Sequence, residues 1–223
     1  MNLLLLDTST KNFSVAVASQ DRVLVRKNII LEKILSTSII PSVVKILKKA
    51  KLKLREVDGF GVGIGPGSFT SLRVGLATIK GLAFALDKPV VGVSSLDVMA
   101  MGCGLTDASV CVVCDARRDL VYTCFYRKQN DFLIRQSDYM LDSPQEVVKK
   151  IKENTILLGD GITIFKKQGF IKKNVIIAQE RLWLPDAKNL WPLVKPRFIQ
   201  EKYDDADKLV PLYLYPEDCQ VKK

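Results

Sequence analysis

Four consecutive leucines, Leu3 to Leu6, end at Asp7 near the start of the chain. A run of large apolar residues without polar alternation suits a strand only if both of its faces are covered. That requirement points to an α/β fold in which this strand is central and layers pack on each side. Asp7-Thr8-Ser9-Thr10 turns the chain, Phe13–Ser19 alternates apolar with small residues, and Gln20-Asp21 leads as a short hairpin into Val23–Asn28. The period then changes. Ile39, Ile40, Val43, Val44 and Leu47 recur at helical spacing. The helix, spanning about residues 34–50, ends in Lys48, Lys49, Lys51 and Lys53, where cations complement its dipole.

Val57–Ile64 reads as the next strand, with glycines at 59, 61 and 63 that would admit neighbouring backbone. Gly65-Pro66-Gly67-Ser68-Phe69-Thr70 turns into a helix over Ser71 to Leu86. Pro89–Val93 is then a strand and Leu96–Met101 a helix. A three-strand antiparallel meander feeding right-handed β-α-β crossovers is a ribonuclease-H-like arrangement, the core shared by actin-like ATPases and sugar kinases. After residue 105 the pattern restarts in shortened form. Val110–Cys114, Val121–Arg127 and Phe132–Met140 are strand candidates. Pro144–Glu153 is a helix capped by Ser143, and Thr155–Leu158 and Val175–Ala178 are further strands. A helix over Asp186–Val194 is expected to be broken by Pro192 and Pro196. The expectation is two tandem subdomains, residues 1–104 and 105–223, the second truncated, with a boundary near Gly102–Thr106.

The 223 residues carry 34 Lys+Arg against 24 Asp+Glu, a net charge of +10, and no histidine. The last count excludes a His-containing metal site, a Ser-His or Cys-His nucleophile and a His general base from this chain. Leu3–Leu6 is too short for a signal-peptide core, and charges or prolines interrupt every apolar run before membrane length, so a cytoplasmic protein with no membrane partner is expected. Five cysteines, 103, 111, 114, 124 and 219, without a secretion signal argue for reduced thiols. Cys111 and Cys114, three apart on a strand, face opposite sides and are poorly placed to share a metal.

Asp7, Asp115 and Asp160 each follow an apolar strand, where the ligands of α/β folds gather. They could hold Mg²⁺ against phosphates, or simply turn the chain or cap a helix. Gly65, Gly67, Ser68 and Thr70, with Asp7 and Thr8 nearby, make a candidate anion or nucleotide loop. Pro66 lacks an N–H and Phe69 is bulky, which favours a purely structural turn, and no Walker A lysine follows. In the following helix Ala77, Gly81 and Ala85 form a stripe of small residues, and the helix is apolar nearly all round. It must be covered twice, by its own sheet and by either the second subdomain or a partner. Lysine clusters at 45–53, 149–152 and 166–173 suit solvated faces better than nucleic acid, since no RNA-binding signature accompanies them.

Asp7-Thr8-Ser9, Val62-Gly-Ile-Gly-Pro-Gly-Ser-Phe-Thr70 running into Leu72-Arg73-Val-Gly75, Lys80-Gly-Leu-Ala83, Asp115-Ala-Arg-Arg118 with Val121-Tyr122, Gly159-Asp-Gly161 and Pro211-Leu-Tyr-Leu214 together resemble the bacterial TsaB (YeaZ) family. The resemblance spans nearly the whole chain. It implies an actin/sugar-kinase-like fold with an eroded second domain and a role in forming N6-threonylcarbamoyladenosine at position 37 of ANN-decoding tRNAs. It also implies a non-catalytic partner of TsaD, the paralogue that binds metal through histidines and transfers the threonylcarbamoyl group, with TsaE as an ATPase third member. No cofactor or metal is implied here; tRNA is met through the complex, and the free chain could pair with itself. The family's partner contact uses the first two helices, which makes Ile39, Ile40, Val43, Val44, Leu47, Arg73, Val74, Ala77, Thr78, Gly81 and Ala85 the interface candidates.

Three positions depart from the family pattern: Ser71 for Gly, Leu35-Ser36-Thr37 for His-Ser-Glu, and Asp119 for Gly. Ser71 is expected to cap the second helix. The alternative function is a nucleotide-hydrolysing or phosphotransfer enzyme of the same fold using Asp7, Asp115 and Asp160. A ribonuclease-H-like nuclease would need about four clustered carboxylates, and a peptidase has no base for Ser68.

Overall fold

The computed structural model describes residues 1–215 except 11, 31–33, 105 and 131. It divides into two compact units, residues 1–98 with 185–211, and residues 99–184 with 212–223. The division expected after residue 104 treated the chain as two consecutive pieces. In the structure the segment 185–211 returns to the first unit.

The first unit is built on a five-stranded sheet in the order β3-β2-β1-β4-β5, from β1 (Asn2–Asp7), β2 (Asn12–Ser19), β3 (Arg22–Ile30), β4 (Gly59–Gly63) and β5 (Val90–Val93). The first three strands are antiparallel, and β4 and β5 run parallel to β1. This is the ribonuclease-H-like topology. Alternation along β1 explains the leucine run: Leu4 and Leu6 enter one core, Leu3 and Leu5 the opposite one. Helices α1 (Leu35–Lys49) and α2 (Phe69–Leu86) cover the first face, burying Ile39, Val43, Leu76 and Ile79.

The opposite face is covered by α6 (Leu190–Ile199) through Leu190, Trp191, Val194 and Phe198. Prolines do not break this helix. Pro192 sits in its first turn, where no N–H is required, and Pro196 lies inside it. The glycines of β4 make room for α6: a Cβ at Gly59 would overlap the Phe198 ring, and one at Gly61 would crowd Leu5 and Val194. Side chains rather than neighbouring backbone take most of that space.

The second unit repeats the topology in smaller form. Its sheet runs β11-β10-β6-β7-β8, with β9 paired to β7. The strands are β6 (Ser109–Arg117), β7 (Leu120–Gln129), β8 (Phe132–Arg135), β9 (Met140–Asp142), β10 (Thr155–Leu158) and β11 (Val175–Ile177). The expected single strand over 132–140 is thus two short ones. Helix α3 (Ser95–Met101) follows β5, and α4 (Pro144–Lys150) and α5 (Ile162–Lys167) pack on the second sheet through Val147, Ile162 and Phe165. Ser143 caps α4 as expected, accepting from the Glu146 amide at 3.3 Å.

Cys111 and Cys114 do face opposite ways. Cys111 joins the core under α4 and α5, whereas the Cys114 thiol meets the Met99 sulfur at 3.3 Å. Burial pushes the Cys111 thiol up to about 12, consistent with an inert core residue. Cys219 lies outside the described residues.

Candidate functional site

The strand-end acids are held by their own unit. Asp7 is 1% exposed. One of its oxygens accepts from the Ser9 amide at 2.9 Å and the Ser9 hydroxyl at 2.6 Å, and the other from the Ser95 hydroxyl at 2.8 Å. Ser95 in turn accepts from the Gly65 amide at 3.1 Å. Both Asp7 oxygens are thus engaged by Ser9 and Ser95.

Burial raises the Asp7 carboxyl above its ordinary value, against the lowering pull of the Ser9 and Ser95 hydrogen bonds. A raised folded-state value means the folded protein binds this proton more tightly than the unfolded chain. The stabilisation is therefore complete below the unfolded value and lost as pH rises through the folded one. Asp7→Asn removes the titration. Thermal melts should show wild-type Tm minus variant Tm increasing as pH falls from neutral towards the ordinary carboxylate range, and a flat difference would contradict the assignment.

The glycine-rich turn is spent on packing. The Ser68 amide donates to the Ser9 carbonyl at 2.7 Å, and the Gly65 carbonyl accepts from the Ser95 amide at 2.7 Å and the Ser94 hydroxyl at 3.2 Å. A Cβ at Gly67 would overlap the Ser9 carbonyl, and one at Gly75 the Thr8 side chain. Thr8 donates to the Ser71 carbonyl at 2.9 Å. Ser71 does not cap α2, because the helix begins two residues earlier with Ser68 at the cap position. Thr70, an exposed first-turn residue, and Ser68 stand at the solvent side of the turn. Ser95 was missed from the sequence; its signal was a serine pair after β5 at the start of α3.

In the second unit Asp115 and Asp160 come together. An Asp160 oxygen accepts from the Asp115 amide at 2.9 Å, and the Asp115 carboxylate folds back to accept from the Arg117 amide at 2.7 Å. The β6–β7 turn places Arg117, Arg118 and Asp119 at φ 69°, 53° and 57°, so the position with Asp in place of the family's glycine is left-handed. Tyr215 donates to the Ala116 carbonyl at 2.7 Å and meets Tyr122 edge-on. Among the described residues, no group of three or more Cys, Asp or Glu could hold a metal ion.

The interface candidates divide. Ile39, Val43 and Leu47 are 0%, 2% and 4% exposed and belong to the core beneath α1, so they cannot meet a partner. Ile40 and Val44, one turn apart, stand 45% and 60% exposed. On α2, Arg73, Ala77, Gly81 and Ala85 are exposed, while Val74 and Thr78 are partly buried. Phe84 is 90% exposed on the same helix, and Phe69 lies under the Arg73 guanidinium at 3.7 Å. Neither phenylalanine was among the candidates, although Phe84 follows Gly81 by one turn. Helix α2 is long and apolar enough to cross a membrane by length and composition, and 28% of it is buried. Its Leu72, Leu76, Ile79 and Ala83 face lies against the first sheet's core.

Comparison with known proteins bears on this arrangement. Residues 30–215 match the model of the family described as TsaD, tRNA N6-adenosine threonylcarbamoyltransferase. A Haemophilus influenzae protein named tRNA threonylcarbamoyladenosine biosynthesis protein TsaB is 30% identical over 97% of this chain and 94% of its own length. The chain belongs to the TsaB branch of that family. The Bacillus subtilis TsaB is 30% identical over 75% of this chain and 74% of its own. YeaZ from Pseudomonas aeruginosa superposes with a TM-score of 0.83 at 28% identity, over 96% of this chain and 99% of that one. The activator of 2-hydroxyisocaproyl-CoA dehydratase from Clostridium difficile shares the fold at a TM-score of 0.50 and 10% identity, covering 92% of this chain and 99% of the other. This TsaB-family chain therefore has the two-unit actin/sugar-kinase-like fold.

Proposed function

We propose that this chain is a non-catalytic partner subunit in the formation of N6-threonylcarbamoyladenosine at position 37 of ANN-decoding tRNAs, required by a TsaD homologue and working with a TsaE ATPase. What carries the reading is the exposed apolar face of α1 and α2: Ile40, Val44, Ala77, Gly81, Phe84 and Ala85 in one unit. Exposed apolar residues gathered on two helices of one unit suit an interaction site. Small residues on α2 let a second helix come close, and Phe84 offers a large anchor. The buried Asp7 and the absence of histidine leave little here for metal or acid-base chemistry, which suits a subunit whose partner supplies the catalytic groups.

Size-exclusion chromatography with light scattering tests the assignment on the chain alone and mixed with the TsaD homologue of its source. One peak at the summed mass is the expected result. Separate peaks in the presence of ATP and the TsaE homologue would refute it. A self-paired chain that dissociates when the TsaD homologue is added would indicate that the same face serves both contacts.

A further inference from the structure

A groove of about 480 Å³ runs between the edge strand β3 and α1 on the first unit. Its walls carry Arg26 and Lys27 from the strand and Lys45, Lys48 and Lys49 from the helix, with Val25 and Ile46 as the floor. All five cations are exposed. Among the described residues Asp186 is the only carboxylate paired with any of them, through Arg26 at 2.5 Å. Lys51 and Lys53 continue the row beyond the end of α1.

We infer that this groove binds the phosphate backbone of RNA. The inference rests on the subunit reading above and deepens it, by giving this chain a direct contact with the tRNA. The edge strand and the helix that follows it in the chain bring like charges into one concave strip, which self-repulsion disfavours unless a polyanion is there to offset it. The walls present no aromatic ring, and the apolar residues lie at the floor with Ile46 2% exposed. A protein partner would find no anchor there, whereas a phosphate chain needs only cations along its path. Without stacking rings or base-reading groups, the contact positions the RNA and is indifferent to its sequence. Ile40 and Val44 do not line this groove, although Lys48 follows Val44 by one turn on the same stripe of α1.

The test uses the full chain, alone and with the TsaD homologue, and an unmodified tRNA transcript followed by fluorescence anisotropy. A groove variant, Lys27→Ala with Lys45→Ala, Lys48→Ala and Lys49→Ala, is compared with a control of equal charge loss, Lys152→Ala with Lys166→Ala, Lys167→Ala and Lys173→Ala. All eight positions are exposed, and alanine at 45, 48 and 49 keeps α1 helical. Affinity should fall at least about tenfold at low salt for the groove variant alone, and the slope of log K against log salt should flatten by about two to four. Equal losses in both variants, or none in either, would overturn the inference. So would loss of co-elution with the TsaD homologue by the groove variant at unchanged RNA affinity, which would reassign the groove to protein binding. If the wild-type proteins fail to co-elute, the subunit reading falls; if they co-elute and the groove variant binds RNA normally, only the groove inference falls.

Discussion

Replacing Gly81 by leucine should weaken binding to the TsaD homologue while leaving the free chain as stable as before, or slightly more so. A Cβ at Gly81 meets nothing within 4 Å, so the new side chain projects into open space. Glycine inside an exposed helix costs about 1 kcal/mol relative to good helix formers, and leucine recovers most of it. At a helix crossing made possible by small residues, the same side chain holds the backbones apart. Overpacking of this kind costs about 1–3 kcal/mol, roughly 5- to 150-fold in affinity. Gly81→Ala should fall between the two. Calorimetry on the mixture and a thermal melt of the free chain read both sides of the prediction, and unchanged affinity for Gly81→Leu would mean that no helix packs over this stripe.

Gly67→Ala should do the opposite, damaging the fold of the free chain. The added methyl would overlap the Ser9 carbonyl, a backbone atom that cannot rotate away. Moving the loop to relieve it would break the Ser68–Ser9 hydrogen bond and strain the Gly65–Ser95–Asp7 chain of contacts behind it. Breaking a buried network costs about 3 kcal/mol or more. For a chain of this length that corresponds to a Tm lower by about 10 °C. Differential scanning fluorimetry reads it directly. A normal melting temperature would mean that the loop gives way without breaking these contacts and that close approach to Ser9 is not what requires glycine here.

These two glycines show where the sequence was legible and where it was not. The leucine run, the alternation in β2 and the helical periods of α1 and α2 each report a local property, and the elements they predict are present within a few residues. The repeated topology followed because both halves spell the same order of strands. Helical periodicity could not separate the side of α1 that packs on its own sheet from the side left open. Ile39, Val43 and Leu47 are therefore core, while Ile40 and Val44 are free to meet a partner. The motif around Gly65–Thr70 reads equally as a phosphate loop or a packed turn, because its glycines serve close approach in either case. Only the position of Ser9, brought in from the end of β1, distinguishes them. Helix α6 carries two prolines that argue against it locally, and packing of Trp191, Val194 and Phe198 against β1 and β4 outweighs them.

The return of residues 185–211 to the first sheet also fixes an order of events during synthesis. Leu3, Leu5, Ala16 and Ala18 leave the ribosome before residues 99–184, and the helix that shields them is made only after that whole segment. The segment 99–184 can collapse as a unit while the first sheet still has one bare face. A growing chain thus carries an exposed strip of aliphatic side chains until α6 emerges, and termination before residue 190 would leave that strip permanently uncovered. Such fragments are natural clients for chaperones and proteases, so quality control on this protein should act most strongly on products that stop short of α6.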